Sequence, residues 1–169
     1  MPSRFRGSGD RIRRSRPEDV WPTYGDKVLR SEPAKERLGK IYLDTPHLGV
    51  HQAPGWLVLE IRGMASSREF REGMEMCLHA LDLTQATRLF MDLRKMRLVL
   101  VDDERWLAQD LLPRLATTAL KWMAIVSPES ELARMIVADL ARPRPTGAQS
   151  KHCATVEEAK QWLSRVEER

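Results

Sequence analysis

The sequence predicts an α/β fold from three observations. Short apolar segments with strand character alternate four times with longer segments of helical period. Two S/T-x-x-E signatures, Ser66 to Glu69 and Thr155 to Glu158, each stand at the start of a helical segment. The internal strand candidates are nearly all apolar, as expected of parallel strands covered on both faces. Alternation of this kind implies parallel pairing through right-handed crossovers.

Order is expected to begin near Lys40. Ile41-Tyr42-Leu43 is a short strand, broken by Asp44-Thr45-Pro46. Leu48 to Gln52 is a second, ended by the turn signal Ala53-Pro54-Gly55. In Trp56 to Gly63, Leu57, Leu59 and Ile61 share one face while Glu60 and Arg62 share the other, which is period-2 alternation. The first helix spans 66–83, with Phe70, Met74, Cys77, Leu78 and Leu81 on one stripe. The strand 88–93 follows. Asp102 and Asp103 then offer caps for a helix over 103–120, with Trp106, Leu111 and Leu115 inward. Pro113 lies inside that helix. It lacks an amide donor and crowds the preceding turn, so a kink or restart is expected, with Pro113 in the first turn of the second piece.

Trp122 to Val126 is the next strand. A third helix over 130–141 places Leu132, Met135, Ile136 and Leu140 on its inner face. A Pro/Gly loop covers 141–150. The strand 151–154 and the helix 155–167, with Val156, Ala159, Trp162, Leu163 and Val166 inward, complete the chain. Four strand–helix units result, preceded by one or two strands expected to be antiparallel at an edge. Phe70, Met74, Leu78, Phe90 and Leu163 are expected in the core.

Charge separates the chain into two parts. Residues 1–39 carry ten Lys and Arg against six Asp and Glu, whereas 40–169 carry eighteen of each. The net charge of +4 therefore belongs to the N-terminal segment. That segment lacks sustained periodicity and is rich in Arg, Gly and Pro, so it reads as a basic disordered extension. It is either a weak, salt-sensitive anchor for phosphate or a solvated tail. A neutral body gives no expectation of specific nucleic-acid binding. The longest apolar run, Trp122 to Val126, has five residues, far short of the ~20 of a membrane span. Two cysteines do not make a disulfide framework. A cytoplasmic protein is expected.

Several motifs carry a resemblance. They are W-x-V-x-x-x-x-G from Trp56 to Gly63, F-R-x-G-x-E from Phe70 to Glu75, and F-M-D-L-R from Phe90 to Arg94. W-x-x-x-x-x-x-P from Trp106 to Pro113, K-W-M-A-I-V-S-P from Lys121 to Pro128 and T-x-E-E-A-x-x-W-L from Thr155 to Leu163 continue the series. In this order they resemble the SpoIIAA-like or STAS-like domains of short bacterial proteins, some of them related to CRAL–TRIO lipid-transfer domains. The resemblance covers about 40–167 and implies a four-turn β/α superhelix, a mostly parallel sheet with antiparallel edge strands. It implies a regulatory or protein-interaction module, or a binder of small apolar ligands. The resemblance implies, for the regulatory members of the family, a serine that is phosphorylated at the start of the helix after the D-x-x strand. Here Asp92 to Trp106 contains no Ser or Thr. Asp102, Asp103 and Glu104 stand there instead, either as a permanent phosphomimic or as helix caps stabilised by the macrodipole.

No catalytic constellation assembles from the sequence, and no cofactor or metal is expected. His47 and His51 have a ligand-like spacing, but Pro46, Gly49 and Pro54 oppose a helix, and in a strand they lie roughly 13 Å apart. Cys77 falls on an apolar stripe and reads as core. Asp92, Arg94 and Ser127 lie at strand carboxyl ends, where α/β sheets place their ligands; a local Asp–Arg pair and loop capping are the alternatives. Leu98 to Val101 puts four apolar residues beyond a strand, folded onto the core or covered by a partner. Asp92, Arg94, Leu98, Val99, Asp102, Asp103 and Ser127 are thus the candidate partner- or ligand-binding residues. The leading expectation is a non-enzymatic STAS-like module lacking the phosphoserine switch, with a protein partner or self-association. The competing one is a small apolar-ligand or lipid binder. A cavity lined by Met and Leu between sheet and helices favours the latter.

Overall fold

The computed structural model describes residues 39–140 and 147–166. The basic extension and the first half of the Pro/Gly loop lie outside the described residues. Six strands form one mixed sheet whose spatial order follows chain order, β1 to β6. They are β1 (Ile41–Asp44), β2 (Leu48–Ala53), β3 (Trp56–Ile61), β4 (Arg88–Asp92), β5 (Trp122–Val126) and β6 (Gln149–Cys153). β1, β2 and β3 pair antiparallel, and β3 to β6 pair parallel. The α/β class, the parallel sheet and the antiparallel edge are as the sequence predicts.

The two faces of the sheet carry separate cores. Leu57, Leu59 and Ile61 of β3, Leu89 of β4 and Met123 and Ile125 of β5 pack against three helical segments. The alternate residues Val58, Phe90, Ala124 and Val126 pack with Cys153, Ala159 and Leu163 on the opposite face. This is why β4 reads as an unbroken apolar run: both of its faces are covered. The β2–β3 turn is Pro54–Gly55, with Gly55 at φ +93°, a conformation that a side chain disfavours.

Helix α1 (Ser67–Thr84) begins with the expected capping box. The Ser66 hydroxyl accepts from the Glu69 amide, and the Glu69 carboxylate accepts from the Ser66 amide. Phe70, Met74, Cys77, Leu78 and Leu81 are all buried. Gly73 lets α1 approach β2 closely: a Cβ there would lie 2.9 Å from a Leu48 methyl, which would have to shift. Helix α5 (Val156–Arg165) is capped by Thr155, whose hydroxyl accepts from the Glu158 amide. The return bond differs from a capping box: Glu158 accepts from the Ala154 amide, one residue earlier.

The middle helical segment departs most from expectation. It starts at Val101 rather than 103 and ends at Leu115 rather than 120. It comprises α2 (Val101–Trp106), a π-helical turn (Leu107–Leu111) and α3 (Leu112–Leu115). Pro113 lies in the first turn of α3, as its chemistry demands. The adjustment before it is a π turn, in which the Leu112 amide donates to the Leu107 carbonyl five residues back. Leu100, not an aspartate, occupies the N-cap position, and it makes no side-chain capping bond. The Thr117 and Thr118 hydroxyls donate to the Arg114 and Leu115 carbonyls and close the segment.

Helix α4 (Glu131–Leu140) corrects half of the expected stripe: Ile136 and Leu140 pack against the core as expected, but Leu132 and Met135 do not. Ala133 and Val137 are buried, while Leu132 and Met135 are 55% and 66% exposed. Stripes through 132 and through 133 both satisfy a 3.6-residue period. The approach of the preceding loop decides between them: the Glu129 amide donates to the Arg94 carbonyl, and the Ser130 hydroxyl to that of Arg97.

Leu163→Ala, at a fully buried position under the sheet, should therefore cost about 2–5 kcal/mol in chemical denaturation. Leu132→Ala, on the exposed side of α4, should change stability by less than about 0.5 kcal/mol. Equal losses would contradict the placement of α4.

Candidate functional site

The three helical segments do not fill the space over their face of the sheet. A cavity of about 120 Å³ remains, and every side chain around it is apolar. Its floor includes Leu59, Leu89, Met91 and Ile125. Met74 and Cys77 of α1, Leu107 and Leu111 of the π turn, Leu112 and Leu115 of α3, and Val137 and Leu140 of α4 complete the wall. Met91, in the middle of an interior strand, is only partly buried. A buried strand residue facing helices is otherwise covered completely. Burial pushes the Cys77 thiol up to about 12, so it behaves as an apolar wall group rather than a nucleophile. An engineered cavity near 150 Å³ with comparable lining stays dry and takes benzene or xenon, which sets the scale of what fits here.

At the carboxyl edge of β3 and β4 the loop 93–100 folds partly onto this core. Met96 and Val99 are buried, whereas Leu98, Leu100 and the first helical residue Val101 are 48%, 52% and 69% exposed. Of the two outcomes foreseen for this apolar loop, folding onto the core occurs at Val99. Met64, in the neighbouring loop after β3, is exposed as well. Between the two loops lies a second, smaller pocket of about 30 Å³, lined by Gly63, Ala65, Leu98, Leu100 and Asp103 among others.

Asp103 corrects the sequence expectation. It is neither an exposed cap nor a surface phosphomimic but 2% exposed. Its Oδ1 accepts from the Ser67 hydroxyl at 2.6 Å and from Arg71 Nε at 2.6 Å. The Arg71 guanidinium also stacks over the Trp106 ring, 5.3 Å from its centroid. This network ties the first turns of α1 to α2. Asp102 is exposed and pairs with Arg105, one turn on.

The remaining candidates lie apart. Asp92 and Arg94 form a two-bond pair at 2.9 and 2.7 Å on the other face of the sheet. Burial alone would raise the Asp92 pKa, but the Arg94 side-chain and backbone bonds outweigh it and hold the carboxyl below its ordinary range. Ser127 follows β5, and its amide donates to the Cys153 carbonyl. The Asp–Arg pair thus closes on itself, and of the seven candidates only Leu98, Val99 and Asp103 meet in one pocket. His47 bonds to Glu69 at 3.0 Å, while His51 is buried on β2, where burial lowers its pKa against the opposing charge of Glu60. Among the described residues no group of three or more His, Cys, Asp or Glu is arranged to hold a metal ion. No helix among them is long and apolar enough to cross a membrane.

Comparison with family models, curated proteins and solved structures gives no match, so the reading of the site rests on its geometry.

Sequence reasoning missed Ser67 and Arg71. They are four residues apart and share a helix face, a common spacing that does not announce a buried partner 36 and 32 positions away. Removing the cation leaves a buried carboxylate uncompensated, so Arg71→Met should cost about 3–5 kcal/mol. Arg105→Met, which breaks only the exposed pair with Asp102, should cost under about 0.5 kcal/mol. Denaturant titration of the two variants checks the contrast.

Proposed function

We propose that this chain is a non-enzymatic, STAS-like α/β domain that binds a small apolar molecule between its sheet and its helices. The apolar cavity supports this reading above the alternatives. The cavity offers no polar group, so binding there rests on hydrocarbon burial and shape. Four methionines, Met74, Met91, Met96 and Met123, line it. Their unbranched, polarisable side chains adapt to an irregular occupant better than branched ones do. The volume suits a ring or a short chain of a few carbons.

A second reading, docking of a protein partner or self-association, draws on the exposed Met64, Leu98, Leu100 and Val101 at the strand carboxyl edge. The two readings separate in one experiment. Saturation with a probe that binds only the folded state stabilises by about 2.7 kcal/mol at a hundredfold excess over Kd. Benzene or n-hexane should therefore raise the Tm of the wild-type protein. Val137→Phe, which fills the cavity from α4, should raise the Tm by itself and abolish the response to the probe. A wild-type Tm indifferent to both probes would remove the apolar-ligand reading and leave the docking surface.

A further inference from the structure

Two of the helical walls of the apolar cavity are tied to each other by charged bonds. Ser67 and Arg71 of α1 donate to Asp103 of α2, and Arg114 of α3 donates to both carboxylate oxygens of Glu75 on α1, at 2.6 and 2.7 Å. Helix α4 forms the third wall, with Val137 and Leu140 on the cavity. The bonds that set its rotation lie just before it. They run from the Glu129 amide to the Arg94 carbonyl at 3.1 Å and from the Ser130 hydroxyl to the Arg97 carbonyl at 3.3 Å. Neutral bonds of this kind contribute little net stability, because water replaces them when they break.

Helix α4 also carries two apolar rows, each with a four-residue step. Ala133 and Val137 form the inward row and are buried. Leu132, Ile136 and Leu140 form the row beside it; Leu132 is exposed, and Ile136 and Leu140 are partly buried. The row turned toward the cavity is thus the smaller in volume, and the bulkier one is turned aside. At 3.6 residues per turn, a rotation of about 80° around the helix axis exchanges the two rows. The rotation leaves the bonds inside the helix intact. It carries Leu132 and Ile136 toward the space that Ala133 and Val137 leave open. Asp139, now exposed, moves only to the flank, at an angle where Ile136 and Leu140 are partly buried now. Filling the space restores dispersion contacts that its lining lacks.

We propose that α4 is the gate of the cavity, turning about its own axis between the open seat seen here and a less populated closed seat in which Leu132 and Ile136 plug the space. This rests on the apolar-ligand reading above and supplies its means of entry and release. An occupant excludes the plug, so binding selects the open seat. The plug in turn lowers the apparent affinity by the fraction of chains that are closed. Opening the cavity on the α2–α3 side instead breaks the charged bonds to α1, whereas turning α4 strains only the two neutral ones.

The methionine methyls of the full-length protein, labelled with ¹³C, test the gate by relaxation-dispersion NMR with and without saturating benzene. Met74 and Met91 report the cavity, Met135 reports α4, and the exposed Met64 is the control. Without benzene, Met91 and Met135 should exchange with one shared rate constant on the microsecond-to-millisecond scale of helix motions, while Met64 stays flat. Benzene should shift the Met74 and Met91 signals and quench the exchange at both Met91 and Met135. Leu132→Ala, which removes the plug from the closed seat alone, should lower the closed population at least about tenfold and flatten the Met91 profile. Shifts at Met74 and Met91 with a flat Met135 profile before benzene, or with exchange that benzene does not quench, would overturn the gate and leave the cavity reading in place. Exchange at Met91 that survives in Leu132→Ala would place the motion in another element and overturn the plug. No shift at either cavity methionine would overturn the apolar-ligand reading and the gate with it. The wild-type comparison stands whether or not the variant folds.

Discussion

Pro113 imposes the constraint around which the helical face is arranged. A proline inside a helix removes one amide and crowds the carbonyl four residues back. Here the chain answers with a π turn over Leu107–Leu111, immediately before α3. A π turn carries an extra residue per turn, so the side chains on either side of it change their angular register. Leu107, Leu111, Leu112 and Leu115 all still reach the space above β4 and β5. They line it without closing it. The residual volume lies where α1, the π turn and α4 converge, and Met91 beneath it is left partly uncovered.

Leaving such a volume empty has a measurable cost. At about 24 cal/mol per Å³, a 120 Å³ void corresponds to about 3 kcal/mol of forgone stability. That is a large share of the 5–15 kcal/mol typical of a domain. Under the apolar-ligand proposal, an occupant of matching chemistry offsets it. The polar tie at the strand edge works in the opposite sense. Ser67, Arg71, Asp103 and Trp106 fasten the start of α1 to α2.

The fold was legible wherever the pattern had one solution. Alternation in Leu57, Leu59 and Ile61 set the face of β3, and the Ser66–Glu69 box set the start of α1. The proline restart was legible too, because the missing amide allows few responses. The stripe of α4 was half legible: Ile136 and Leu140 pack inward as expected, but 132 and 133 begin equally good helical rows, and only the contacts of Glu129 and Ser130 with the β4 loop choose between them. At the site, the apolar loop and Asp103 were visible as residues but not as partners. Burial of an aspartate depends on an arginine 32 positions away. The cavity is a difference between the volume that the backbone encloses and the volume that its side chains fill. No local pattern encodes that difference.

The central claim is that the space between sheet and helices is an open apolar site. Diffraction from a crystal held under xenon pressure tests it most directly, because xenon enters dry apolar cavities of this size without needing a polar partner. The account predicts xenon density bounded by Met74, Met91, Leu111 and Val137. Well-determined side chains that fill this space, with no xenon between them, would contradict it.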